Sequence, residues 1–329
     1  MPAAEATPAG RALFGRLSAR RRPWLLAVVV LFALAVVNTI LQPSFVRPGV
    51  ITSNIAAFLP MALVAAGQTY VVLASDIDLS AGAIVSLVNV TVVTIIESMG
   101  GTGVSIALGL AAGIAIGMLA GAVNGLCVAL LRLQAIVTTF ATGIVFSGFA
   151  LWVLPQAGRQ VPPEFYTAYA GAWLGVPTVI WILAGATLFA ALVSRTRYYH
   201  ALRAVGGNMQ AAYQTGLPVA RVRFTAYVIS GLFSALAALA LVGETASGDP
   251  LIGQALTLSS ITAVVLGGTA LSGSVGGVAG SILGAFILGL IGNVIFFAQL
   301  PFEWQGLVQG VVILAALAGG VVMARSKAE

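Results

Sequence analysis

From Val104 to Leu131 the chain reads VSIALGLAAGIAIGMLAGAVNGLCVALL, without one charged side chain and with glycine at every fourth position: Gly109, Gly113, Gly117, Gly121 and Gly125. A membrane-crossing helix needs roughly 20 consecutive apolar residues, and this run exceeds that. Residues four apart share one helix face, so the five glycines form a bare backbone stripe against which another helix can pack closely. Lining a pathway is the other use of such a stripe. Gly276, Gly280 and Gly284 repeat the spacing further along.

The whole chain has the composition of this stretch. Of 329 residues, 60% are hydrophobic and 7% charged, against about 25% charged in soluble domains. So few charges cannot cover a water-facing surface, and the solvent must be largely lipid. Ten segments have the length of a span: Trp24–Gln42, Val50–Leu73, Leu79–Glu97, Val104–Leu131, Ala135–Leu154, Ala172–Val193, Phe224–Gly243, Ala255–Leu271, Val275–Ala298 and Trp304–Met323. The third and eighth stay open between a full span and a broken or re-entrant one. The expected fold is an all-α integral membrane bundle of about ten helices. A basic segment 1–23 precedes the membrane domain 24–323, and a short tail 324–329 follows it.

The basic residues fix an orientation. With the N-terminus inside and ten crossings, every one of the 15 Lys and Arg except Arg47 and Arg159 falls on the cytoplasmic side, which is the positive-inside pattern. Both termini are then cytoplasmic. Glu97, Glu164, Glu244, Asp249 and Glu303 fall outside. The sequence pI near 10 therefore reflects topology and not nucleic-acid binding. The single cysteine, Cys127, cannot form an internal disulfide, and one histidine, His200, gives no metal-ligating cluster. The first apolar run follows Arg20-Arg21-Arg22 but is too long for a cleaved signal, and reads as a retained anchor.

Three stretches carry possible function. In Asp76-Ile77-Asp78-Leu79-Ser80-Ala81-Gly82, two carboxylates lie at a membrane boundary, where they are costly unless capped or solvated. Asp78 is placed to N-cap a helix starting at Leu79; solute contact is the alternative. Gln68, Asn124 and Asn293, with Asn54, Asn89 and Gln254, are neutral hydrogen-bonding groups in or near spans. They suit either an uncharged polar cargo or interhelical bonds. The basic segment Ser194–Arg223 is long for a connection. Within it a short helix from about Met209 to Thr215 is expected, with Asn208 as N-cap and Gly216 just past its end. It serves either as an element that inserts into a cytoplasmic partner or as a solvated loop that enforces topology. Val71-Val72-Leu73 with Asp78-Leu79-Ser80 also resembles Val264-Val265-Leu266 with Ala270-Leu271-Ser272, and transporter halves are often repeats; chance likeness is the alternative. A phosphate-binding Gly-x4-Gly-Lys-Ser/Thr loop is missing from the sequence, whose one lysine is Lys327. ATP hydrolysis would have to come from a separate subunit.

Four ordered motifs carry a resemblance over roughly residues 45–320. They are Gly67-Gln68-Thr69 with Ile77-Asp78-Leu79-Ser80; Asn124-Gly125 with Ile136-Val137-Thr138-Thr139; Ala204-Val205-Gly206-Gly207-Asn208 with Ala211-Ala212; and Ala263-Val264-Val265-Leu266-Gly267-Gly268-Thr269. The chain resembles the permease subunits of bacterial ABC importers for ribose, xylose and related sugars. The resemblance implies a transport subunit in the inner membrane, not an enzyme, with no cofactor of its own. It implies a second permease copy as homodimer or heterodimer, a cytoplasmic ATPase that binds the ATP, an extracytoplasmic solute-binding protein, and a sugar or similar small polar solute. Arg203, Gly206, Gly207, Asn208, Ala211, Ala212 and Gly216 would form the element that meets the ATPase. Gln68, Asp76, Asp78, Asn124, Thr138 and Asn293 are the pathway or gate candidates. Two departures stand out: Ser75 and Asp76 replace a usual pair of glycines, and Tyr198-Tyr199-His200 stand where a Phe-Gly-Arg-like triplet is usual. Branched-chain amino acid permeases share the architecture but typically carry an Asn-Leu-Ala-His-Gly pattern in place of Asp78-Leu79-Ser80-Ala81-Gly82. An ion-coupled carrier would need ionisable groups within its spans, and these spans hold almost none away from their ends.

Overall fold

The computed structural model describes residues 24–301 and, beyond them, 303, 304, 306–308, 310, 311 and 314. The basic segment 1–23, most of the expected tenth span Trp304–Met323 and the tail 324–329 lie outside the described residues. The helices are α1 (Trp24–Leu41), α2 (Pro48–Leu73), α3 (Ala81–Ser98), α4 (Gly103–Gly125, continued by a π-turn Leu126–Leu130) and α5 (Ala135–Val153). A strand β1 (Arg159–Gln160), helix α6 (Pro163–Ala170) and strands β2 (Ala172–Trp173) and β3 (Val176–Pro177) follow. Then come α7 (Thr178–Ser194), α8 (Arg197–Gly207), α9 (Met209–Gln214), α10 (Val219–Thr245), β4 (Ser247–Gly248), α11 (Gln254–Leu266) and α12 (Val278–Phe297).

Six of these helices, α2, α3, α4 with its π-turn, α5, α10 and α12, are long and apolar enough to cross a membrane. The bent pair α7 and α8, kinked by 75°, makes a seventh if it is one span. Of the two segments left open by the sequence, the third is a full-length helix, whereas the eighth stops at Leu266 after 13 residues. At 1.5 Å per residue α11 reaches only about 20 Å, short of a hydrocarbon core of about 30 Å. The expected sixth span Ala172–Val193 begins late, because Ala172–Trp173 and Val176–Pro177 pair as a small hairpin before α7 starts at Thr178. The basic stretch after it is mostly helix, and Val219–Arg223 are the first turn of α10.

The core forms around α10, which runs antiparallel to both α2 and α4. Gly67 of α2 faces Ser230 and Phe233, and the Tyr70 and Phe233 rings stack at 6.2 Å. The glycine stripe of α4 has two partners. Gly109 and Gly113 seat on Ile96, Val92 and Val88 of α3, while Gly117, Gly121 and Gly125 seat on Ala235, Tyr227 and Phe224 of α10. The connections gather at two ends. At one, Arg159 pairs with Glu97 at 3.2 Å and β1 pairs antiparallel with β4. At the other lie Arg132, the α7–α10 connection and the loops 74–80 and 267–277, held together by Ser274 N–H donating to the Leu73 carbonyl (3.1 Å) and Ser75 Oγ donating to the Ser272 carbonyl (2.7 Å).

An internal repeat is present in a register the apolar letters do not reveal. One constant offset relates α2, loop 74–80, α3 and α4 to α10, segment 246–253, α11 and α12. At equivalent places Ser75 and Ala246 are non-glycine residues in left-handed backbone, at φ 69° and 55°. Asp78 Oδ1 accepts the Ser80 N–H, and Asp249 Oδ1 accepts the Leu251 N–H, each at 2.8 Å. Gly109 packs on Ile96 and Val92, and its equivalent Gly280 packs on Gly267, the equivalent of Ile96. The likeness expected between Val71–Leu73 and Val264–Leu266 therefore pairs the end of α2 with the end of α11, which are not equivalent elements.

Candidate gate and coupling surface

The two halves meet where α3 and α11 begin. Gly82, in the first turn of α3, lies against Gly253, which precedes α11; a Cβ on either glycine would collide with the backbone carbonyl of the other. Around this contact the bonds are reciprocal. Gly82 N–H donates to Thr257 Oγ1 at 3.2 Å, and Gly253 N–H donates to Ser86 Oγ at 3.0 Å. Thr257 stands to Gly253 as Ser86 stands to Gly82, so the pair lies on a local two-fold axis.

Each of these two helices is reached by extended chain that penetrates the bundle. From the end of α2 the chain doubles back until the Asp78 backbone lies beside Gln68, about 8 Å inside that helix end. The Gln68 carboxamide, oriented to satisfy both groups, donates to the Asp78 carbonyl (3.3 Å) and accepts the Asp78 N–H (3.1 Å). From the other end, segment 246–253 descends along α3, and Asp249 N–H donates to Asn89 Oδ1 at 2.9 Å. Non-helical backbone at membrane depth is tolerated only where protein or a water-filled cavity satisfies it, and these side chains do so.

A buried polar chain surrounds Asp78. Its Oδ1 accepts the Ser80 hydroxyl at 2.6 Å and its Oδ2 accepts Ser230 Oγ at 3.1 Å. Asn124 Nδ2 donates to Ser80 Oγ at 2.6 Å, and Thr142 Oγ1 donates to Asn124 Oδ1 at 2.6 Å. Thr139 Oγ1 accepts the Leu79 N–H at 2.9 Å. Asp78 thus closes a turn and anchors a network; it does not cap a helix at Leu79, since α3 starts at Ala81 with Ser80 as its N-cap residue.

Of the six pathway candidates, the structure brings Gln68, Asp78 and Asn124 together. Asp76 instead makes a two-pronged ion pair with Arg223, Nε to Oδ2 at 2.9 Å and Nη2 to Oδ1 at 2.8 Å. Thr138 makes no side-chain hydrogen bond among the described residues, and its neighbour Thr139 joins the network instead. Asn293 lies elsewhere, donating to Asn54 Oδ1 at 2.9 Å. Sequence reasoning missed Ser80, Thr139, Thr142, Ser230 and Arg223. Four are hydroxyls common in any membrane helix, and Arg223 was accounted for by topology. No group of three or more His, Cys, Asp or Glu able to hold a metal occurs among the described residues.

Of the expected coupling residues, Arg203, Gly207, Asn208, Ala211 and Gly216 lie on one exposed ledge, whereas Gly206 and Ala212 are buried beneath it. Asn208 caps α9 by accepting the Ala211 N–H at 2.9 Å, and Gly216 ends it in left-handed backbone at φ 81°. Met209, Gln210, Ala211, Tyr213 and Gln214 face outward while Ala212 is buried. The preceding helix α8 is clipped to both halves of the repeat. Arg203 Nε donates to the Ser274 carbonyl at 2.7 Å, and Gly206 lies so close to the Leu73 carbonyl that a Cβ would overlap it. Gly207 is less constrained, its nearest neighbour being Ser274 Oγ at 3.4 Å. Arg203 and Gly206 thus tie α8 to the loops that lead into α3 and α12.

Residues 50–317 match the family described as the permease component of branched-chain amino acid transport systems. The chain belongs to this family of importer permeases. Among its relatives, the ribose import permease protein of Bacillus subtilis is 37% identical, over 87% of this chain and 89% of that protein. The L-arabinose transport system permease protein of Escherichia coli is 33% identical, over 83% and 86%. The autoinducer 2 import system permease protein of Escherichia coli is 31% identical, over 89% and 84%. No solved structure matches. The chain is a multi-pass inner-membrane permease subunit of an ABC importer, a transport component and not an enzyme.

Proposed function

We propose that this permease imports a monosaccharide or similarly small polar solute, driven by a separate ATPase. The relatives named for ribose and L-arabinose support this cargo over an amino acid, as does the Asp78-Leu79-Ser80-Ala81-Gly82 motif. An extracytoplasmic binding protein delivers the solute, and a second permease copy completes the pathway. The charge distribution supports ten crossings with both termini cytoplasmic, and an α9 ledge that faces the ATPase. ATP is bound by that partner, and the permease needs no cofactor.

The observation that carries the mechanism is the clip of α8 onto both repeat halves through Arg203 and Gly206. When paired ATPases close, α9 is displaced and α8 pulls on the loops before α3 and α12. The glycine contact between the halves then acts as the fulcrum. It has little side chain to rearrange, so access can switch between membrane faces without unfolding a span. Gln68, Asp78 and Asn124 hold the extended segment in one setting, and neutral groups near it offer hydrogen bonds to an uncharged cargo.

The test is uptake of radiolabelled ribose and L-arabinose into proteoliposomes containing the permease, its ATPase and its binding protein. ATP-dependent accumulation of a sugar, and none of leucine, is expected. Accumulation of leucine alone would overturn the cargo assignment, and uptake driven by an ion gradient without ATP would overturn the mechanism.

A further inference from the structure

A groove of about 480 Å³ lies between the last turns of α7, helix α8 and the first turn of α12. Its walls are of two kinds. Thr187, Ala190 and Ala191 of α7 face Ile282 of α12 across an apolar cleft. At its polar end stand Arg203, Tyr199 and the first residues of α12. The N-cap of α12, Gly277, has no side chain to offer, so the N–H groups of Val278, Ala279 and Gly280 lack a side-chain cap. The N-terminus of a 20-residue helix carries partial positive charge. Tyr199 is an independent second sign. It is only 9% exposed, lines the groove, and its hydroxyl has no hydrogen-bond partner among the described residues. Arg203 spends its Nε on Ser274 and has no carboxylate partner among the described residues. No acidic residue lines the groove.

We propose that this groove holds the phosphate of an anionic phospholipid, with one acyl chain lying between α7 and α12. Arg203, the Tyr199 hydroxyl and the α12 N–H groups supply donors of the kinds that bind phosphate oxygens. The occupant is an anion on grounds of charge. The chain's own segment 1–23, with Arg11, Arg16, Arg20, Arg21 and Arg22, would be repelled by Arg203. A lipid fits better than a soluble anion because the polar end opens into an apolar cleft at a helix boundary. That the lipid belongs to the cytoplasmic leaflet rests on the orientation proposed above; that the groove binds it does not. A bound phosphate would brace Arg203 against α12, so lipid composition would tune how firmly α8 is held to the Ser274 loop.

The test uses full-length permease in neutral detergent, which removes any dependence on orientation or transport. Native mass spectrometry and thermal melting are followed as phosphatidylglycerol, phosphatidylcholine or inorganic phosphate is added. Phosphatidylglycerol is expected to bind and raise the melting temperature, with Arg203→Gln weakening its apparent affinity roughly tenfold and Tyr199→Phe about threefold. Because Arg203→Gln also loses a structural bond, Tyr199→Phe provides the separate check on the site. Equal binding of phosphatidylcholine, or unchanged phosphatidylglycerol affinity in both variants, would overturn the proposal. Competition by millimolar inorganic phosphate would overturn the lipid assignment.

Discussion

The Asp76–Arg223 pair gives a prediction whose size follows from its setting. Both side chains are largely buried, at 7% and 12% exposure, and two short bonds join them at 2.8 and 2.9 Å. Replacing Asp76 by Asn leaves a guanidinium that water barely reaches and whose other contact is a long one, 3.5 Å to the Val128 carbonyl. Removing one member of such a pair costs about 3–5 kcal/mol, most of it the burial of an unpaired charge. Arg223→Met should cost a similar amount by stranding Asp76. The double variant Asp76→Asn/Arg223→Met removes both charges and should recover most of the loss. The assay is a double-mutant cycle on purified permease, unfolded by heat or by denaturing detergent and followed by tryptophan fluorescence. A coupling of roughly 2 kcal/mol or more is expected for groups sharing one contact. Single costs below about 1 kcal/mol that simply add would refute the reading of this pair as a buried lock between loop 74–80 and α10.

Three further outcomes follow. Gly206→Ala should abolish solute-stimulated ATP hydrolysis in the assembled transporter, because its Cβ overlaps the Leu73 carbonyl, while Gly207→Ala, with 3.4 Å of clearance, should leave hydrolysis close to wild type; equal behaviour of the two would contradict the clip. Gly82→Ala should destabilise the permease by roughly 1–3 kcal/mol through overpacking and slow uptake, read by melting and transport together; a neutral result in both would remove the fulcrum. Arg159→Gln at the partly exposed pair with Glu97 should change stability by less than about 1 kcal/mol, and a larger loss of melting temperature would show that β1 depends on the ion pair.

What the sequence disclosed, and what it hid, divides by range. Six of the ten expected spans, those that became α2, α3, α4, α5, α10 and α12, were legible because lipid imposes one rule on every residue of a segment. The α9 helix was legible because Asn208 and Gly216 carry turn chemistry within a few positions of it. The meeting of the halves was not. Gly82 and Gly253 are far apart in sequence, and the residues that share the repeat's geometry, Ser86 with Thr257 and Ser75 with Ala246, share few letters. The repeat is held by backbone shape and hydroxyl position, whereas the matching Val-Val-Leu letters record only that two helix ends are apolar. Ser75 hid one helix break in a different way. A left-handed residue is ordinarily announced by glycine, and here a serine takes that conformation while its hydroxyl bonds the Ser272 carbonyl. Asp76 reads as a pathway candidate in the sequence because its partner, Arg223, is already explained there as a mark of the cytoplasmic side.

The central claim is that the α9 ledge faces the cytoplasm, where an ATPase can move it. It is tested by adding single cysteines to a Cys127→Ser background, one as Gln210→Cys on α9 and one as Gln156→Cys beyond α5, both at exposed positions. A membrane-impermeant maleimide applied to intact spheroplasts should label the Gln156→Cys variant at once, and the Gln210→Cys variant only after the membrane is opened. Labelling of the Gln210→Cys variant in intact spheroplasts would put the ledge on the far side from the ATPase and contradict the account.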